Sequence, residues 1–135
     1  MAEKVFRLEI IAPDRVFYDQ DVYMAEYNTT EGEVGILDGH IPMTQVLAPG
    51  VLTITESENQ QKKAALHSGF VEITGKKVTI LAESVEWPEE IDLKRAEEAR
   101  IRAQRRLEEK ENINLERAEL ALKRALIREN VASRP

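Results

Sequence analysis

Apolar residues recur at alternate positions from Val5 to about Ala82, and turn residues break the runs repeatedly. This is the period of half-buried strands rather than the period of about 3.6 that marks a helix. In Phe6-Arg7-Leu8-Glu9-Ile10 the apolar and charged side chains fall on opposite faces, and Pro13-Asp14 supplies the turn that follows. Pro49-Gly50 suits the central positions of a type II turn, proline presetting φ and glycine accepting the positive φ, so a strand is expected from Val51 to Thr55. The polar run from Glu56 to Lys63 reads as a connection into a strand 64–73, and Thr74-Gly75 turns the chain into a strand from Val78 to Ala82. Short strands at such regular spacing predict a β-sandwich.

After Trp87-Pro88 the period changes: no glycine follows, no proline precedes Pro135, and Ala, Leu, Glu, Arg and Lys dominate. Asp92 is placed to cap a helix in which Leu93, Ala96, Arg100, Ala103 and Leu107 share one face, ending near Lys110. Asn112-Ile113-Asn114 makes a short connection, and Asn112 or Asn114 can cap a second helix with Leu115, Ala118, Leu122 and Ala125 on one stripe. An antiparallel helical hairpin is expected, giving a sandwich over 1–86 and a two-helix segment over 87–135. Alanine stripes let helices approach closely but bury little area, so the hairpin should be weakly held. Such an element can be moved by a ligand or partner; a permanent hairpin is the plainer alternative.

Composition narrows the function. The chain carries a net charge of −6, but residues 1–91 hold 7 basic and 16 acidic residues, whereas residues 92–135 hold 12 basic and 9 acidic. The overall sign argues against general nucleic-acid binding, and the basic C-terminal arm suggests an acidic partner surface. No cysteine and only two histidines, His40 and His67, remove thiol chemistry and leave little for a metal site. No run approaches the ~18 apolar residues of a membrane span, and no signal pattern opens the chain, so a soluble protein not processed for secretion is expected.

The stretch 31–42, Glu31-Gly32-Glu33-Val34-Gly35-Ile36-Leu37-Asp38-Gly39-His40-Ile41-Pro42, resembles the GE-x-GI-x-x-GH-x-P signature of ATP synthase epsilon subunits. The resemblance continues through the opening strand and its turn, the strands 68–73 and 78–82, and the helix 117–125. It implies a bacterial-type F-type ATP synthase subunit: a ten-stranded β-sandwich followed by two helices, non-catalytic, attached to the central-stalk gamma subunit and resting on the membrane rotor ring of c subunits. The implied location is peripheral, at the cytoplasmic face of the cell membrane within the complex, with a monomer when isolated. Glycines 32, 35 and 39 permit tight turns where a Cβ would strain. The resemblance places Glu31 and Glu33 near the polar loops of the c-ring and His40 toward gamma and the ring. Plain solvent exposure for both glutamates, and a turn histidine bonded to a nearby carbonyl, are the ordinary alternatives.

Ile91-Asp92-Leu93-Lys94-Arg95-Ala96 is similar to the Ile/Leu-Asp-x-x-Arg-Ala motif that binds ATP in some bacterial epsilon subunits. The resemblance implies an ATP site of Glu86, Ile91, Asp92, Arg95, Ala96, Arg124 and Arg128. The carboxylates can accept from adenine or ribose, Ala96 leaves room for the base, and arginines can fork onto phosphate. Asp92 is equally a helix cap, and arginines on such helices are often paired with neighbouring glutamates. No phosphate-loop sequence is present, so ATP is expected as a regulatory ligand, bound but not hydrolysed.

The implied mechanism is an ATP-dependent brake. With ATP bound the helices fold together; without it they extend along gamma and bring Arg105, Arg106, Arg124 and Arg128 near acidic segments of the alpha and beta catalytic subunits, blocking hydrolysis. A stand-alone ATP-sensing protein with the same architecture is the alternative, and an enzyme built on Asp38 and His40 a remoter one, lacking a nucleophile or metal cluster.

Overall fold

Strand β1 (Phe6–Ala12) turns Phe6, Leu8 and Ile10 inward and Arg7 outward, as its alternation requires. The computed structural model describes residues 4–109 and 114–132, and divides into a unit Met1–Val85 and a unit Glu86–Pro135. The strands following β1 are β2 (Arg15–Val22), β3 (Met24–Thr29), β4 (Gly32–Leu37), β5 (Met43–Val46), β6 (Gly50–Ser57), β7 (Gln60–Leu66), β8 (Gly69–Thr74), β9 (Lys77–Ala82) and β10 (Val85–Glu86). They form the expected sandwich of two five-stranded sheets, ordered β2-β1-β9-β8-β5 and β10-β7-β6-β3-β4. The sheets are mainly antiparallel, but β1 and β9 lie side by side in parallel, Leu8 opposite Val78 and Ile10 opposite Ile80.

Inward residues of both sheets make the core, with Leu8, Ile10, Leu52, Ile54, Val71 and Ile80 fully buried. Each such side chain contributes roughly 1.5–3 kcal/mol of apolar transfer. Two tyrosines tie the sheets together. The Tyr27 hydroxyl donates to Gln45 Oε1 at 2.6 Å, and the Tyr18 hydroxyl donates to the Glu56 carboxylate. Burial pushes both phenol pKa values well above the ordinary range, reinforced at Tyr18 by Glu56, so both remain donors.

Three sequence expectations change. Gly50 does not carry a positive φ and starts β6 directly. Its missing Cβ is needed for space, because a Cβ there would lie 2.2 Å from Asn28 Nδ2. The polar run 56–63 is no open connection but the tip of the β6–β7 hairpin, with Thr55 opposite Gln61 and Thr53 opposite Lys63. The expected single strand 64–73 is broken at His67-Ser68, where the chain passes from one sheet to the other. The His67 N–H donates to Ser84 O at 3.0 Å, and Ser68 exchanges bonds with Glu83.

At Gly69 the φ is +144°, and a Cβ would sit 2.0 Å from the Leu81 carbonyl oxygen. Gly69→Ala is therefore expected to cost about 3 kcal/mol and lower the melting temperature of the sandwich by roughly 10–20 °C. Gly75 has φ +51° with open space around it, so Gly75→Ala should cost only ~1 kcal/mol. Thermal melts followed by circular dichroism check this; equal losses at the two sites would contradict the steric account.

The second unit holds a 3₁₀ turn (Pro88–Glu90) and helices α1 (Leu93–Glu109) and α2 (Leu115–Ala132). Lys110, Asn112 and Ile113 lie outside the described residues. The helices run antiparallel: Arg100 reaches Glu129, while Arg106, nearer the end of α1, shares a cleft with Asn114 and Ala118 at the start of α2. Ala96 and Ala103 on α1, and Ala118, Ala125 and Val131 on α2, are buried. Leu93 and Leu115, expected on those stripes, are instead 39% and 48% exposed. The seam thus rests on methyl groups, worth only about 0.8 kcal/mol each.

Candidate functional site

The residues singled out for ATP all fall in the helical unit, and local capping sets their positions. Asp92 Oδ1 accepts from the Arg95 N–H at 3.1 Å, and the Asp92 carbonyl accepts from the Ala96 N–H at 3.0 Å, so α1 begins there. Upstream, the Trp87 N–H donates to Glu90 Oε1 at 2.9 Å and the Ile91 N–H to Pro88 O at 3.2 Å, which closes the 3₁₀ turn. Ile91 and Ala96 are buried, while Asp92 and Arg95 face outward. On the other helix Asn114 Oδ1 accepts from the Arg117 N–H at 3.1 Å, which makes Asn114 the cap of α2. Ten and fourteen residues beyond it, one turn apart, stand Arg124 and Arg128.

Side chains 42 residues apart meet here, for Arg128 Nε donates to Glu86 Oε1 at 2.6 Å, with both groups about one-third exposed or less. Arg124 Nε is buried and has no hydrogen-bond partner among the described residues. A buried guanidinium nitrogen left unbonded is costly, and a phosphate oxygen is the type of acceptor it lacks. The structure therefore joins Glu86 to Arg128, sets Asp92, Arg95 and Ala96 at the start of α1, and leaves Arg124 Nε without an acceptor among the described residues. The Asp92 carboxylate meets the backbone of Arg95 rather than its guanidinium. Arg105 and Arg106 lie exposed in the last two turns of α1, where Arg106, Asn114, Arg117 and Ala118 line a cleft of about 270 Å³.

In the sandwich, the signature residues do not gather at one point. Glu31 sits in the β3–β4 turn, where Gly32 has φ +124° and the Glu31 N–H donates to Thr29 Oγ1 at 3.1 Å. Glu33 follows, exposed on β4. His40 lies past the opposite end of β4, a strand about 20 Å long. Of the three signature glycines, Gly32 and Gly39 take positive φ, but Gly35 does not; it lies within β4, where a Cβ would come 2.7 Å from Met24 Cε. The His40 Nδ1–H donates to the Ile41 carbonyl at 2.8 Å, and Asp38 pairs with Lys76 at 3.4 Å. His40 and Asp38 thus turn to other partners and form no dyad with each other.

The sequence reading missed one feature of the sandwich. Val46, Phe70, Leu81, Ile11 and Val16 are direct register partners in turn, so they form one row across all five strands of the first sheet. They point outward, with Phe70 54%, Leu81 46%, Val46 47% and Val16 61% exposed. A shallow groove of about 580 Å³ runs along this row. The Thr30 N–H donates to Val46 O at 3.0 Å, so the turn bearing Glu31 borders it. The signal was present as doubled apolar residues, Ile10-Ile11, Phe70-Val71 and Ile80-Leu81 inside strands and Val46-Leu47 at the end of β5. A strand with one wet face needs only one of each pair.

Comparison with known proteins bears on the whole chain. Residues 5–88 match the family model of the ATP synthase Delta/Epsilon chain beta-sandwich domain, and residues 89–133 that of its long alpha-helix domain. The chain is 44% identical over 131 residues to the ATP synthase epsilon chain of Clostridium kluyveri, covering 97% of this chain and 98% of the relative. It is 42% identical over 133 residues to the epsilon chain of Caldanaerobacter subterraneus, covering 98% and 96%. A chain in the mitochondrial ATP synthase of Euglena gracilis (OSCP/F1/c-ring) shares the fold with a TM-score of 0.82 at 23% identity, over 96% of this chain and 82% of that one.

Proposed function

Since the chain belongs to the ATP synthase delta/epsilon chain family, as an epsilon chain and non-catalytic subunit, we propose that it couples the rotor ring to gamma through its sandwich and restrains ATP hydrolysis through an ATP-responsive helix pair. The sandwich, residues 1–86, docks on gamma through the apolar row and presents Glu31 and Glu33 to the polar loops of the c-ring. His40, at the far end of β4, serves a separate contact with gamma. The helical segment 87–135 is the regulatory element, and the subunit lies peripherally on the cytoplasmic face of the membrane. Among the described residues no helix is long and apolar enough to cross one.

One observation carries the nucleotide reading: Glu86 on the chain entering the helices and Arg128 on α2 already meet at 2.6 Å, beside an Arg124 Nε that is buried without an acceptor. A triphosphate supplies acceptors for both arginines, while Asp92 and Glu86 accept from the ribose or adenine and Ile91 and Ala96 supply an apolar floor. Because such a ligand touches both helices, it stabilises only the state in which they are together. When ATP is scarce the helices part, and Arg105, Arg106, Arg124 and Arg128 become available to acidic segments of the alpha and beta subunits. Rotation in the hydrolysis direction is then blocked.

Calorimetric titration of the isolated chain with ATP tests this. One saturable site is expected, weakened at least tenfold in Asp92→Ala and in Arg95→Ala, the loss of a hydrogen bond to a charged group being worth about 1.5–3 kcal/mol. Absence of saturable heat with the wild-type chain would remove ATP as the ligand and leave the family membership intact.

A further inference from the structure

The two helices are also joined by a pair that the nucleotide reading does not use. Arg100 Nε donates to Glu129 Oε1 at 2.7 Å, with side-chain exposures of 30% and 24%. Arg100 Nη1 donates further to Gln104 Oε1 at 3.2 Å, one turn along the same helix, which fixes the guanidinium plane. Side chains on a helix lean toward its N-terminus, so in an antiparallel pair residues displaced past one another reach back and meet, as these do.

Two circumstances give this pair leverage. The buried residues beside it are Ala96, Ala103, Ala118, Ala125 and Val131, mostly small side chains that bury little area each. Glu129 also lies in the last turn of α2, at the end of the helix farthest from its N-terminal cap Asn114, where the chain connection to α1 constrains it least. Glu129 adjoins Arg128, so neighbouring residues of α2 grip two separate places: Glu86, ahead of α1, and Arg100, on α1 itself.

We infer that Arg100 and Glu129 form a ligand-independent clasp that holds α1 and α2 together and sets the ATP level at which the hairpin responds. The second clause rests on the nucleotide reading given above; the first does not. The physical link is population: a ligand that binds only the closed hairpin has an apparent affinity scaled by the closed fraction, so weakening the clasp demands more ATP for the same closure. Both groups are less than one-third exposed, so the pair is screened less than a fully solvated one.

The test uses the full chain, which has no cysteine of its own, with nitroxides at Glu97→Cys on α1 and Lys123→Cys on α2, both exposed positions. Without nucleotide, the closed-to-open ratio read from dipolar broadening should fall about fivefold in Arg100→Glu and in Glu129→Arg, and return in the charge-swapped double variant. Helical circular dichroism should be equal in all four proteins, separating hairpin opening from loss of the helices. An unchanged ratio in the single variants would overturn the clasp, and so would failure of the swap to restore it. ATP is then added to the same samples. Wild-type protein that ignores ATP while its nucleotide-free ratio still follows the charge swap would sink the nucleotide reading alone.

Discussion

Replacing Phe70 by glutamate, or Leu81 by arginine, is expected to weaken binding of the chain to the gamma subunit by at least about 100-fold while leaving the sandwich folded. Phe70 and Leu81 are direct partners in the middle of the outward apolar row, with Val46 and Ile11 on either side. A central aromatic in such a row has the place of an interface anchor, and a charge there would be buried without a partner on docking. In the free chain the same positions are about half exposed, so the substitutions cost only cross-strand contacts, about 0.2–1 kcal/mol. Binding of the purified chain to immobilised gamma, with a thermal melt of each variant, checks the expectation. Undiminished binding by either variant would show that gamma docks elsewhere.

The second large effect has two signs. Arg124→Met should lower ATP affinity at least about 30-fold, because a half-buried guanidinium is removed from the proposed phosphate contacts. Without nucleotide, the same substitution should leave the hairpin as stable as before or stabilise it by about 1–2 kcal/mol, since the ligand-free chain gives Arg124 Nε no acceptor and an unpaired buried donor is a cost. Arg124→Lys should fall between, keeping charge but not the planar fork. Calorimetry with ATP and nucleotide-free denaturation of the helical signal provide the two readings. Loss of nucleotide-free stability would mean that Arg124 is a structural residue whose bonding is already satisfied.

A stability penalty for binding is expected at a site that waits for a ligand. Arg124 Nε has no acceptor among the described residues, and Arg128 is paired with Glu86; on the proposed reading phosphate would serve both arginines. If the proposed switch operates, such contacts would keep its closed and open states close in free energy. The alanine seam serves the same end. Leucines in those positions would bury more area and make the hairpin permanent.

How much of this was legible in the sequence differs between the two units. The strand alternation, the helical segment and the Asp92 cap depend on neighbours within a few residues and were read correctly, and of the two candidate caps of α2, Asn112 and Asn114, the structure uses Asn114. The residues proposed for ATP were named through a resemblance, whereas the meeting of Glu86 and Arg128 across 42 residues was not legible in the sequence. The passage at His67-Ser68 was invisible because local sequence does not say to which sheet a strand belongs. Gly50 was misread for a related reason: its constraint is the Asn28 side chain, which approaches from another strand.

By itself, then, the order of residues determined the element types, the change from a strand period to a helix period near Trp87, the capping of both helices and the opposed charge of the two segments. These follow from interactions a turn or a pleat long. Tertiary structure alone decided the parallel pairing of β1 with β9, the outward apolar row, the separation of Glu31 from His40 along β4, and the ion pairs at Arg100 and Arg128. Each depends on register between segments distant in the chain, and register is set by which faces can be buried together, a property of the assembled core rather than of any one stretch.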